Sequence, residues 1–373
     1  MKRTSIRRAV VPGIAVLALA LSACGAGNDS GSDDEGNGSG TTSSDLSGEL
    51  SGGGASSQEA AQGAWRVGFT ESNPDVVVNY DPIGSGGGRE SFISGAFPFA
   101  GSDAYLTDDE GELSAATERC GGTAPVEVPN YISPIAVIFN VEGVDELNLT
   151  PEVLAGIFTG DIAQWDAPEI AELNPDATLP SAAINAVHRA DESGTTENFT
   201  NYLDTVAGDV WTAGEVETWP GEFGGEGANQ TNGVVSAVRD GQNSIGYADA
   251  SQAGELSTAS IGTEGNFVGP TPEAAAAILD VSTRVEGRAE HSLVFDLDYE
   301  AEGAYPIVLV SYLIACQSYS GDEAEAGELS KAYLSYIVSE EGQKFGADEA
   351  GSAPLSSELA TEVQAAVDSI TVG

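Results

Sequence analysis

An α/β fold in two lobes, with mixed sheets flanked by helices and a two-strand hinge, is what this 373-residue sequence predicts. Three observations carry that reading. Strand-like apolar segments are followed by a Gly/Ser-rich polar turn and then by a helical period at Val76–Tyr80 and at Ala183–Val187, and a third short polar turn, Ala100–Ala104, again follows a small apolar segment. Two longer runs, Ile132–Val141 and Tyr305–Cys316, are β-branched and apolar on both faces, which marks strands buried on both sides. Each lies where composition changes, so the chain leaves one lobe and returns to it.

The elements follow in order. Lys2, Arg3, Arg7 and Arg8 precede the apolar run Ala9–Ala20, which is too short to span a bilayer as a stable helix. Leu21-Ser22-Ala23-Cys24-Gly25 comes next and resembles the lipobox of bacterial lipoproteins. That resemblance implies a signal peptide over 1–23 and a lipid on Cys24, holding the protein at the extracytoplasmic face of the cell membrane. Residues 24–48 are rich in Gly, Ser, Thr and Asp and read as a flexible tether. Lobe I is expected over 49–132 and 308–373, and lobe II over 133–307.

Within lobe I, Gly52–Ser57 leads into a helix that buries Ala61, Ala64, Trp65 and Phe69. Val76–Tyr80 is a strand opening into the Gly-rich turn Gly84–Arg89, with a helix near Glu90–Ile93. No Lys-Ser/Thr follows those glycines, so the turn is not a Walker loop; Arg89 stands where a dinucleotide fingerprint needs its third Gly. In lobe II, Thr150 as N-cap, Pro151 at the first helical position and Gly160 past the end bracket a helix with Val153, Leu154, Ile157 and Phe158 inward. The C-terminal part carries one helix holding Leu329, Ala332, Tyr333, Tyr336 and Ile337, and another over roughly 356–370.

Charge excludes some partners. The sequence has 59 Asp+Glu against 13 Lys+Arg, a formal net of −46, and four of the basic residues lie before Ala9. Such a surface repels nucleic acid and, at long range, any small anion. Anion affinity must therefore come from local, oriented donors. The stretch Arg189-Ala190-Asp191-Glu192-Ser193-Gly194-Thr195 offers them. It follows a strand and precedes a helix with Phe199, Tyr202, Leu203 and Val206 on one face, so the N–H groups of Ser193, Gly194 and Thr195 lack intrahelical acceptors. With two hydroxyls and an Arg, this is an anion site in outline. The plain alternative is an N-cap beside a surface Arg189–Asp191 pair. Cys120 and Cys316 remain once Cys24 is set aside; an exported protein with two thiols is expected to pair them.

These residues match a known family. The chain resembles the phosphate-binding lipoproteins of the high-affinity phosphate ABC importer, a branch of the type II two-lobed periplasmic-type binding proteins, from about Leu50 to the C-terminus. The match is most specific in Leu154-Ala155-Gly156-Ile157-Phe158-Thr159-Gly160-Asp161-Ile162, Trp165-Asp166 and Leu173-Asn174-Pro175. Its functional motifs are Gly84-Ser85-Gly86-Gly87, Ser102-Asp103 and the Arg189–Thr195 run. The resemblance implies that Ser56 and Ser57 form the first phosphate-binding loop and that Ser85 belongs to the second. Asp103 would accept the phosphate's own proton. Arg189 would be the charged donor, Asp191 its partner, and Ser193, Gly194 and Thr195 the helix-start donors. It implies no cofactor, and as partners inorganic phosphate and the permease subunits, with the protein itself a monomer.

The chain departs from the family pattern at three places. Ser56-Ser57 replaces a Thr-Phe pair, Glu192 replaces a Gly, and the Gly-Asn-x-Gly segment is stretched into Gly227–Gly233. A carboxylate at Glu192 must point outward if an anion is to bind. Two other functions compete. Another tetrahedral oxyanion, sulfate or molybdate, would fit the same donors, although Asp103 opposes both. A secreted serine hydrolase or phosphatase would use Ser193 or Ser85 with His188 as base, but no Gly-x-Ser-x-Gly elbow occurs after the tether. Two histidines and a cysteine pair make no standard zinc set, so no metal is expected.

Overall fold

The computed structural model describes residues 46–109, 111–299, 301 and 303–373. The signal peptide, Cys24 and most of the tether lie outside them. Nine strands form the main sheet: Gly48–Gly54 (β1), Val76–Asp81 (β2), Phe99–Ser102 (β3), Val126–Asn140 (β4), Asn185–Arg189 (β5), Glu226–Ala228 (β6), Ser244–Asp249 (β7), Ser257–Thr258 (β8) and Val308–Ala315 (β9). Their order is β2-β1-β3-β9-β4-β7-β5-β6, with β8 also on β4. The helices are Glu59–Ser72 (α1), Ser85–Ile93 (α2), Glu112–Arg119 (α3), Pro151–Thr159 (α4), Pro168–Leu173 (α5), Gly194–Ala207 (α6), Gln230–Asp240 (α7), Pro272–Val281 (α8), Ala324–Val338 (α9), Glu340–Ala350 (α10) and Ser357–Asp368 (α11). Among the described residues no helix is long and apolar enough to cross a membrane.

The pairing directions divide the sheet into two parallel wings. β2, β1 and β3 run parallel to one another, as do β7, β5 and β6. Between them the long strands β9 and β4 are antiparallel to each other and to their outer neighbours. β4 serves both wings in turn: Val126–Pro134 pairs with β9, and Ile135–Asn140 pairs with β7. The two apolar runs read from the sequence thus lie side by side, and all of β9 and all but the last residue of β4 are buried.

Local chemistry explains the elements. Thr150 caps α4 by accepting from the Val153 N–H, Pro151 opens it, and Gly160 closes it at φ 85°. α1 buries Trp65, whose indole N–H donates to the Gly342 carbonyl of α10 at 2.8 Å. In the second wing, Phe199 of α6 stacks on Tyr247 of β7 with centroids 4.3 Å apart, and Phe158 of α4 meets both edge-on. Val234, Val235 and Val238 of α7 cover the opposite face against Val187 and Ala248. Full burial of each such side chain contributes about 1.5–3 kcal/mol. This two-sided packing fixes the end of β5 and the starts of α6 and α7.

Several boundaries differ from the sequence reading. The Gly84–Arg89 segment is not a loop followed by a helix near Glu90; α2 begins at Ser85 and the glycines form its first turn. They are tolerated because α2 packs directly on backbone: a Cβ at Gly88 would lie 2.4 Å from Gly54 Cα. β5 starts at Asn185 rather than Ala183, β4 begins six residues before Ile132, and α10 lies between the two C-terminal helices that were read.

Candidate anion site

Five chain segments end at one buried place. After β1, Ser56 and Ser57 form a short 3-10 turn ahead of α1. Ser85 is the first residue of α2, Asp103 directly follows β3, and Arg189 ends β5. Ser193 caps α6, with Gly194 and Thr195 in its first turn. These sequence-predicted residues all meet here, and all but Asp191 are buried.

Asp103, 3% exposed, is the centre. Ser57 donates its hydroxyl to Oδ1 and Oδ2 at 2.7 and 2.8 Å, Thr195 to Oδ2 at 2.8 Å, and Ser311 of β9 to Oδ1 at 2.6 Å. Burial raises the pKa of this carboxyl; the hydroxyls of Ser311, Ser57 and Thr195 and the charge of Arg189 pull it partly back. The carboxylate caps no helix. Asp103's own N–H instead donates to Ser85 Oγ at 3.1 Å. Gly194 permits the close approach of α6, because a Cβ there would stand 2.7 Å from Ala104 N, 2.8 Å from Ser85 Oγ and 2.9 Å from Asp103 Cβ.

Arg189, 2% exposed, is clamped rather than solvated. Its Nε and Nη2 donate to Asp191 Oδ1 and Oδ2 at 2.7 and 2.5 Å, a bidentate fork. Burial works to raise the Asp191 pKa, but Arg189 and the Gln230 N–H outweigh it and hold it below the usual carboxylate range. The Gln230 bond, 3.0 Å, brings the start of α7 into the site. The next residue, Thr231, donates its N–H to Ser56 Oγ at 3.1 Å, with its own hydroxyl 3.1 Å from the same oxygen. The stretched Gly227–Gly233 segment is therefore a strand end and a helix start. Ser193 behaves as an N-cap, accepting from the Thr196 N–H at 3.1 Å, so the cap and the site coincide.

Glu192 is exposed, but its carboxylate lies over the first turn of α2, where a Cβ at Gly86 would stand 2.5 Å from its Oε2, and 4.0 Å from the Arg89 guanidinium. His188 faces elsewhere. Its ring stacks on Trp219 at 4.7 Å and its Nδ1 lies 2.8 Å from the Arg189 carbonyl oxygen. It is not positioned to draw a proton from Ser193 or Ser85. Among the described residues no cluster of three or more His, Cys, Asp or Glu is arranged to hold a metal ion.

The sequence reading missed Ser311, Thr231, Gln252 and Asn198. Gln252 donates to the Ser56 and Ser57 carbonyls at 2.8 and 3.1 Å, and Asn198 to the Asp103 carbonyl at 2.9 Å. Thr231 had a signal, a hydroxyl at a helix start after a short strand. The other three had none.

Convergent strand ends and helix starts, closing on hydroxyls, one guanidinium and one carboxylate without an activated nucleophile, define a binding protein for a small oxyanion. Comparison with known proteins agrees in fold and sequence. The profile of the PBP superfamily domain matches residues 39–341. The phosphate-binding protein PstS2 of Mycobacterium bovis is 34% identical over 373 residues, covering 97% of this chain and 98% of that one. PstS 3 of Mycobacterium tuberculosis is 35% identical over 372 residues, with the same coverage. A high-affinity periplasmic phosphate-binding protein (PfluDING), solved with phosphate bound, superposes with a TM-score of 0.69 at 23% identity, covering 85% of this chain and 93% of that one. A protein from Clostridium perfringens, solved with phosphate bound, gives 0.59 at 22%, covering 81% and 98%. The chain belongs to the PBP superfamily and, within it, to the PstS proteins.

Proposed function

We propose that this protein captures inorganic phosphate between the two wings and delivers it to the membrane permease of a phosphate ABC importer. The observation that carries this is the buried Asp103 carboxylate among hydroxyl donors, beside a guanidinium that Asp191 holds in place. Ser56, Ser57, Ser85, Ser193, Gly194 and Thr195 supply hydroxyl and backbone donors, and Arg189 the charge. At neutral pH phosphate keeps a proton and can donate it to Asp103, while the Ser57 and Thr195 hydroxyls turn from Asp103 to the anion. Sulfate has no such proton and meets a carboxylate facing its lone pairs, so the site rejects the wrong tetrahedral anion by repulsion. The names of the curated relatives support the same ligand. Catalysis is disfavoured by the position of His188.

The two wings support a division into lobe I, 49–132 with 308–373, and lobe II, 133–307, closing about β4 and the chain entering β9. The Cys120 and Cys316 sulfurs stand 1.96 Å apart with Cα atoms at 5.3 Å, which supports a disulfide. We read the protein as a monomer, exported and tethered through lipid on Cys24; Cys24→Ala is expected to release it from the membrane, and unchanged detergent partitioning would refute the anchor.

Native mass spectrometry of the purified protein, followed by calorimetric competition, tests the ligand. Phosphate is expected to co-purify or bind tightly, with sulfate failing to displace it. Equal binding of both anions, or of neither, would refute the assignment.

A further inference from the structure

Beside the site lies a second charged cluster that the binding reading leaves unused. Arg89, on α2 of the first wing, is buried at the rim where the wings meet. Its Nη1 and Nη2 donate to Glu217 Oε1 and Oε2 at 2.8 and 2.6 Å, a fork-to-fork pair reaching the second wing. Nε donates to both oxygens of Glu112 at 3.1 and 2.8 Å, and Nη1 also reaches Ser102 Oγ at 3.2 Å. Glu217 is tied in turn to the start of α6, its carbonyl accepting from the Ser193 N–H at 3.2 Å. The 215–217 segment is held to the same helix by Thr200, which bonds the Val216 N–H and carbonyl at 2.9 and 3.0 Å. An adjoining cavity of about 440 Å³ is lined by Arg89, Tyr105, Glu112, Glu192, Glu197 and Glu217.

We propose that the Arg89–Glu217 pair is a strap that holds the two wings closed over bound phosphate, so that Arg89 is a positioning residue setting the rate of phosphate release. This rests on the phosphate-binding reading above. The guanidinium touches none of the anion donors, yet it joins α2, four residues after Ser85, to the segment bonded at the Ser193 cap of α6, ahead of Gly194 and Thr195. The other direct links between the wings at this site are Thr195–Asp103, Ser56–Thr231, Gln252 to the Ser56 and Ser57 carbonyls and Asn198 to the Asp103 carbonyl; all are hydroxyl or amide hydrogen bonds, and none pairs a cation with a carboxylate. The strap is charge-assisted, bidentate, largely out of solvent and independent of the ligand. Opening exposes Arg89 and leaves Glu217 beside Glu192, Glu197 and Glu215 without its cation. Burial and the charges of Glu217 and Glu215 already hold the Glu197 carboxyl well above its ordinary pKa, the mark of a crowded acidic set sharing one cation.

The test follows radiolabelled inorganic phosphate binding to the full protein in the wild type, Arg89→Met, Glu217→Gln and the double variant, with the ligand-free melting temperature of each. Truncating one partner of a buried charge pair acts on dissociation, so each single change is expected to raise koff by about tenfold or more while kon moves by less than about threefold. The double variant is expected to be no faster than the worse single one. Glu217→Gln keeps the side-chain volume and one acceptor, and decides the matter should Arg89→Met fail to fold. A lowered ligand-free melting temperature with koff unchanged would mean a merely structural pair and overturns the strap. Failure of the wild type to bind phosphate overturns the underlying function and the strap with it.

Discussion

Arg189 and Ser85 both face the site, but losing them has different consequences. Arg189→Ala removes the only guanidinium held by Asp191 and leaves that carboxylate uncompensated next to the anion. Its cost to phosphate binding is expected at about 2–5 kcal/mol, against about 1 kcal/mol for Ser85→Ala, which removes a single neutral hydrogen bond. Equal losses by calorimetry would place Arg189 outside the site. Asp103 makes a pH prediction. Burial raises its pKa, so on acidification it loses its charge earlier than an ordinary carboxyl and stops repelling sulfate. Sulfate binding by the wild type should therefore strengthen as pH falls, whereas Asp103→Asn should admit sulfate at neutral pH with little further change. A variant that still ignores sulfate while binding phosphate normally would remove Asp103 from the selectivity argument.

At the scale of elements, the site depends on how closely α2 lies on the first wing. Gly88 has Gly54 Cα at 2.4 Å, Gly53 O at 3.1 Å and Gly101 O at 3.2 Å from where a Cβ would sit, all of them backbone atoms that no rotamer change can move aside. Gly88→Ala must push the helix off the sheet, at a cost of about 1–3 kcal/mol in stability, and must carry Ser85 with it. Denaturant unfolding together with phosphate titration checks this; a variant unchanged in both would mean the helix yields without loss. The contrast with α6 is instructive. There a polar cap and an aromatic stack on Tyr247 hold the helix start, so the same donors are presented by side-chain packing rather than by bare backbone contact.

For the whole molecule, the Cys120–Cys316 pair closes a separation of 196 residues. It ties the end of α3 to the residue after β9, so it spans the chain's excursion into the second wing and its return. In the chain-entropy view a loop of that length contributes about 3–5 kcal/mol. Replacing both cysteines with serine should lower the unfolding midpoint in denaturant while phosphate affinity stays close to the wild type, since neither sulfur touches the site. Two titratable thiols besides Cys24 in the unfolded, unreduced protein would show that no bridge forms.

Much of this was open to reading along the chain. The capped helix from Thr150 to Gly160, the strand preceding Arg189, the helix that follows Ser193 and the two long buried strands each rest on local patterns of caps, periodicity and β-branching. The Arg189–Asp191 fork is also local, two residues apart. What encircles Asp103 is not. Ser57 lies 46 residues away, Thr195 lies 92 away and Ser311 lies 208 away. A serine inside the apolar run of β9 carries no local sign that it will face a carboxylate. The register of β9 on β4 shifts between Ser311 and Tyr312, and such a bulge re-aims side chains in a way set by pairing between strands. The same holds for Ser56 against Thr231, 175 residues apart, and for Arg89 against Glu217. The sequence by itself determined the capped helix, the long strands, the helix-start donors and the guanidinium, because those follow from interactions within a few residues. Tertiary structure alone decided which hydroxyls surround Asp103 and which charge straps the wings, because these depend on strand register and on the approach of helices whose backbones meet only after the chain has closed.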